Sequence, residues 1–172
     1  MIYNAAMCYY PPMVTHTAYS GAIVLGMHDA LVSQTGIIAG LTFALADTKL
    51  IIMTGVISAV ADGLSMMASN YLAERERAPL RTAIMAGVYT GIAYLRTSTL
   101  LIIPFFITDN ARRAMGASVV VAIIIIFLFN LCTMRGNARG LWRRFWEMLG
   151  ICAGVSIIAF IIGEFAKSML GI

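Results

Sequence analysis

Charge is what this chain lacks. Only 12% of its 172 residues are Asp, Glu, Lys or Arg, 60% are hydrophobic, and the mean hydropathy is +0.88. An ordinary soluble domain carries about twice that share of charge, so the composition excludes one and points to the membrane. Cysteine is scarce as well. Cys8, Cys132 and Cys152 are odd in number and widely spaced, which excludes a zinc pattern and a disulfide framework and leaves structural roles. The sequence contains no GxSxG, no HExxH, no P-loop and no phosphate-cradling glycine loop. Hydrolytic and nucleotide chemistry are therefore not expected, and the chain reads as a non-enzyme with no permanently bound cofactor. Its first residues, "MIYNAAMCYYPPMVTH", have neither the basic start nor the small-residue cleavage site of a signal peptide.

What the chain has is apolar length. Windows long enough to cross a bilayer recur near 19–45, 50–70, 82–107, 114–133 and 146–168. Between them lie "ADTKL", "AERERAPLR", "TDNARR" and "RGNARGLWRR", the punctuation expected of short connections. Lipid leaves no water for unpaired backbone groups, and these loops are too short for the many strand pairings of a closed barrel, so the spans are predicted to be helices. The expected fold is an all-α integral membrane protein, a bundle of five transmembrane helices over 19–172. Residues 1–18 are expected to form an interfacial arm with Tyr9, Tyr10 and the Pro pair at headgroup level.

Lys and Arg in the short loops set the orientation. With the N-terminus in the cytoplasm, the inner connections hold seven (Arg75, Arg77, Arg81, Arg135, Arg139, Arg143, Arg144) against four outside (Lys49, Arg112, Arg113, Lys167). The count favours that arrangement, with the C-terminus on the opposite side. The net charge of +4 then reads as topology and lipid headgroup contact, with no nucleic-acid partner.

Against this background the stretch "MHDALVSQTGIIAG" (27–40) is anomalous, because it places His28, Asp29, Ser33, Gln34 and Thr35 inside a span. A charge at mid-bilayer costs about 2.5 to 3.5 kcal/mol on insertion scales, so it persists only facing a partner, a cavity or a function. Asp29 lies ten residues into the first span and Asp62 eight residues before the end of the second. At a rise of about 1.5 Å per residue both sit roughly 12 to 15 Å from the cytoplasmic side, level with each other if the helices are antiparallel neighbours. Helical spacing puts Asp29, Ser33, Gly36 and Gly40 on one face, and Asp62, Met66 and Ser69 on one face of the next helix. Gly36 with Gly40, Gly87 with Gly91, and Gly150 with Gly154 form small-xxx-small pairs that admit a neighbouring helix. The bland alternatives are a carboxylate held by Arg96, which sits in the third span, packing for His28, and an interfacial charge for Glu164.

At this point the residues resemble a known family. "GMHDALVSQTGIIAGL" (26–41) followed by "GVISAVADGLSMMASNYLAERER" (55–77) is similar to the vacuolar iron transporter family, whose first helices carry an Asn-Asp-Gly-Leu-Val-Ser pattern and an Ala-Leu-Ser-Met pattern followed by Gly-Glu-Tyr. The later stretches fit mainly by hydropathy and helix order. The resemblance implies five helices, a homodimer, a cytoplasmic N-terminus and exchange of Fe2+ or Mn2+ for protons, with the metal held by Asp29 and Met66. Carboxylate oxygens suit these ions, and a thioether favours a transition metal over Mg2+ or Ca2+. A buried carboxylate favours its protonated form, so metal and proton would compete for one site, the simplest basis for antiport.

The sequence departs from the family pattern at four places. His28 replaces Asn and offers a further ligand. Asn70 replaces Glu, which removes an anion near the cytoplasmic mouth. The Glu-rich insert between the second and third helices shrinks to "LAERERAP", where Glu74 and Glu76 alternate with Arg75 and Arg77 in an expected solvated turn. Asp62 stands where a small residue is more usual, and it would replace the charge lost at Asn70 about two turns deeper. The expected metal site is thus Asp29, Met66, Asp62 and His28, with Glu74, Glu76 and Asn70 at the mouth. The competing reading is a transporter-derived subunit that moves nothing and scaffolds a larger membrane complex, its grooves filled by side chains, lipid or a partner helix.

Overall fold

The computed structural model describes residues 14–45, 47–133 and 138–170. Five helices follow in order: α1 (Val14–Ala44), α2 (Thr48–Arg75), α3 (Leu80–Ile107), α4 (Ala111–Thr133) and α5 (Ala138–Leu170). Each contains a stretch long and apolar enough to cross a membrane, as the hydropathy predicts. Most of the expected arm, with Cys8, Tyr9 and Tyr10, lies outside the described residues.

Local chemistry sets the breaks. Asp47 caps α2, its carboxylate accepting from the backbone N–H of Lys49 (2.9 Å) and Leu50 (3.3 Å). Asn110 does the same for α4, accepting from Arg113 N–H (3.2 Å). Thr48 Oγ1 donates to the Asp109 carbonyl at 2.8 Å, joining these two connections at one end of the bundle. At the other end α2 runs to Arg75, beyond the boundary expected near residue 70. "YLAER" holds good helix formers, and nothing opposes the helix until Pro79, which precedes α3.

Helix α3 is the centre of the bundle. It packs along both α1 and α2, α4 lies against α3, and α5 lies on α1. Close approach is made possible by small residues. A methyl group added at Gly26 would collide with the Thr90 carbonyl, one at Gly87 would lie 2.7 Å from the Met67 carbonyl oxygen, and one at Gly91 would meet the Met67 side chain. Gly36 and Gly40 face Val155 and Ala159 of α5. The expected contacts at Gly36, Gly40, Gly87 and Gly91 are present, whereas Gly150 and Gly154 meet no neighbour among the described residues. The outward surfaces of α2, α4 and α5 carry exposed Ile57, Leu64, Leu128, Ile161 and Phe165, as lipid contact requires. Cys152 is a buried free thiol.

Gly26→Ala is expected to lower stability by about 1 to 3 kcal/mol, because a backbone carbonyl on α3 has to move. Gly116→Ala, at a site with open space around it, should leave stability unchanged or slightly raised. Thermal melting of the two variants in detergent checks the pair, and equal melting temperatures would contradict the packing.

Candidate metal site within the membrane

The register of α1 against α2 is marked by a partly buried hydrogen bond, Gln34 Nε2 to Ser58 Oγ at 3.1 Å. Stepping five residues back along α1 and five forward along its antiparallel neighbour brings Asp29 level with Gly63, next to Asp62. This register sets the Asp29 and Asp62 carboxyl groups at one level of adjacent helices, with His28 next to Asp29 in the chain. Asp29, Asp62, His28 and Met66 are all half-buried. Met66 follows Asp62 by one turn of α2 and shares its face.

Asp62 is held by a residue that sequence reasoning missed. Tyr94 of α3 is completely buried, and its hydroxyl donates to Asp62 Oδ2 at 3.1 Å. The same hydroxyl lies 2.7 Å from Ser33 Oγ on α1. A phenol has one proton, so with that proton given to Asp62 the Ser33 hydroxyl must be the donor to Tyr94. Ser33 (α1), Tyr94 (α3) and Asp62 (α2) therefore form one chain across three helices. Beside it, Gln34 is also 0% exposed, and its buried Oε1 has no hydrogen-bond partner among the described residues. That leaves an acceptor in the bundle open to a donor or a cation. The available signal for Tyr94 was its depth, since a membrane tyrosine ordinarily sits at the interface and this one is at mid-span.

Arg96 does not partner either carboxylate. It is exposed on α3, and the ion pair found among the described residues joins Arg143 to Glu147 at 3.0 Å. Tyr94 and Arg96 are two residues apart, about 200° around a helix, so a tyrosine facing the core turns the arginine away from it. Glu164 is exposed near the end of α5.

The expected mouth residues have separate surroundings. Asn70 Nδ2 donates to Thr90 Oγ1 at 2.6 Å and to the Ala86 carbonyl at 3.3 Å. Thr90 Oγ1 in turn lies 3.1 Å from the Ala22 carbonyl, so the Asn70 amide fastens α2 to α3 and, through Thr90, to α1. Glu74 is half-buried and Glu76 exposed. It is the Glu74 carbonyl that closes the turn, accepting from Arg77 N–H (3.0 Å) and Ala78 N–H (2.8 Å). Among the described residues no three His, Cys, Asp or Glu side chains converge as a metal-ligand group. A divalent ion between Asp29 and Asp62 would therefore need thioether, hydroxyl, amide or water ligands as well.

A separate groove of about 630 Å³ runs between α1 and α5, from Ser33 past Gly36 and Gly40 to Lys167. Its walls are almost wholly apolar and include neither carboxylate, so it lies apart from the candidate metal site.

Residues 20–83 match the family model described as the VIT family. The match covers most of α1, all of α2 and the start of α3, the segment that carries His28, Asp29, Asp62, Met66, Asn70, Glu74 and Glu76. The resemblance to the vacuolar iron transporter family is borne out over those residues, and the five long apolar helices give the chain the character of a multi-pass membrane protein. No curated protein matches the chain.

Asn70→Asp should lower stability by about 1 to 3 kcal/mol, since it removes both N–H donors and sets a carboxylate against the Ala86 carbonyl. Thermal melting checks this, and a wild-type melting temperature would show that the amide is not a fastening.

Proposed function

We propose that this chain is a secondary transporter that exchanges divalent Fe or Mn for protons, with Asp29, Asp62 and Met66 as its intramembrane metal site and His28 beside it. The observation that carries the reading is that two carboxyl groups lie level with each other on adjacent membrane helices and that, among the described residues, no arginine or lysine forms an ion pair with either. Two anions in low dielectric must be neutralised. With Arg96 turned outward, the groups left to do so are protons, a metal cation and His28. Proton and metal therefore exclude each other, and uptake of one expels the other.

The ligand types fit the cargo. Carboxylates suit Mn2+ and Fe2+, and the Met66 thioether, with a neutral His28 imidazole, biases the site toward these ions over Mg2+. Half-burial of all four residues supports a site that water and ions reach. A scaffold subunit would instead cover such carboxylates with side chains. The ligand set of one chain is small for a six-coordinate ion, which supports assembly as a homodimer in which a second copy adds to it. The orientation that accompanies this reading places the α2–α3 connection, with Arg75, Arg77 and Arg81, in the cytoplasm.

Purified chain in liposomes containing a pH-sensitive dye should show proton movement driven by Mn2+ or Fe2+. Asp29→Asn, which keeps shape and removes charge, should reduce that flux to the level of empty liposomes. Met66→Leu, of similar volume without a thioether, should weaken Fe2+ and Mn2+ uptake selectively. Unchanged flux in Asp29→Asn contradicts the shared site, and a folded wild-type protein with no metal-driven flux favours the scaffold.

A further inference from the structure

Tyr94 meets the demands of a buried polar group in an unusual way. Its ring packs on Gly63, where an added methyl would lie 3.4 Å from Tyr94 Cδ1. Leu95 lies closer still, 3.1 Å from that methyl, so Gly63 lets α2 approach the segment of α3 that carries Tyr94. Its hydroxyl, fully withdrawn from the surface, would be costly without partners, and its partners include Asp62 on α2 and Ser33, one turn from Asp29 on α1. With Oδ2 engaged by Tyr94, Oδ1 of Asp62 is the oxygen left to face a ligand.

We infer that Tyr94 is a positioning residue for the metal site: its hydroxyl fixes the orientation of the Asp62 carboxylate and ties it, through Ser33, to the helix that carries Asp29. The inference rests on the reading of Asp29, Asp62 and Met66 as that site. Tyr94 does not touch the metal. It restricts the Asp62 side chain to one arrangement, so that the separation of the two carboxylates is set by three helices packed together and not by a free rotamer. Ligand-orienting hydrogen bonds of this kind typically carry about 10- to 100-fold in metal affinity.

The test is a double-mutant cycle on the full chain, with Mn2+ binding followed by calorimetry in detergent and Mn2+ flux followed in liposomes, for wild type, Tyr94→Phe, Asp62→Asn, the Tyr94→Phe/Asp62→Asn double variant and Asp29→Asn. Phe keeps the ring on Gly63 and removes only the donor. Tyr94→Phe should weaken Mn2+ binding and raise KM by about tenfold, with kcat changed far less. In the Asp62→Asn background it should add nothing. Ser33→Ala, which leaves the Tyr94 to Asp62 bond in place, should move affinity in the same direction by less, and it serves if Tyr94→Phe does not fold. A lower melting temperature with unchanged Kd and KM in Tyr94→Phe overturns the inference, as does an equal effect in the wild-type and Asp62→Asn backgrounds. Saturable wild-type binding that Asp29→Asn abolishes and Tyr94→Phe leaves intact overturns the inference alone. Absence of any saturable Mn2+ binding or flux in wild type overturns the transport reading together with it.

Discussion

Two carboxyl groups sharing one level of a bilayer, with no basic side chain bound to either among the described residues, are the constraint on which the rest of this structure depends. Burying one ionised carboxylate is costly, and burying two near each other is costlier. A structural solution would set an arginine between them, and Arg96 is near enough in sequence to supply one. The fold turns it outward and gives Asp62 the tyrosine hydroxyl, a neutral group that orients the carboxylate without cancelling its charge. The charge is left to be balanced by something that comes and goes. In the transport reading this is the origin of exchange, because a site that must be neutral admits either protons or a cation.

The packing serves the same end. Two carboxylates become one site only if their helices cannot drift, and here α1 and α2 are each locked to α3 by small residues and buried hydrogen bonds. Gly26 lets α1 lie against the Thr90 backbone, Gly87 and Gly91 bring α3 onto α2, and Asn70 with Thr90 binds all three helices toward one end. Tyr94 binds them again at the middle. Lipid tails are as apolar as leucine, so such contacts, and not hydrophobic burial, hold the helices together. By contrast, α5 packs chiefly on α1 and α4, and Gly150 and Gly154 meet no neighbour among the described residues.

Most of the architecture was legible in the sequence, since apolar windows of bilayer length can only be helices and their number and order follow directly. Boundaries were less so. Ala73 to Arg75 read as loop because of their charge, but charge on good helix formers at a membrane edge does not end a helix, and Pro79 does. Within the site, the residue types of Asp29 and Asp62 and their common level were readable from the lengths of two adjacent helices. Tyr94 was not. Nothing in "TGIAYLRTS" shows which way a tyrosine points, and its meeting with residues 61 positions before it and 32 before it is a property of three-helix packing. Arg96 was a reasonable partner on composition alone and was excluded only once the facing of α3 was known. For the same reason Asn70, read as a lost charge at the mouth, proved to be an amide fastened to α3.

The central claim, that metal and proton compete for one pair of intramembrane carboxylates, is tested most directly by counting protons released when the metal binds. Calorimetric titration of the purified wild-type chain with Mn2+, repeated in buffers of different ionisation enthalpy, gives that count without requiring transport. The account predicts that Mn2+ binding releases protons, that the number released falls as the starting pH is raised, and that Asp29→Asn loses both binding and release. Saturable Mn2+ binding with no proton release at any pH would contradict it.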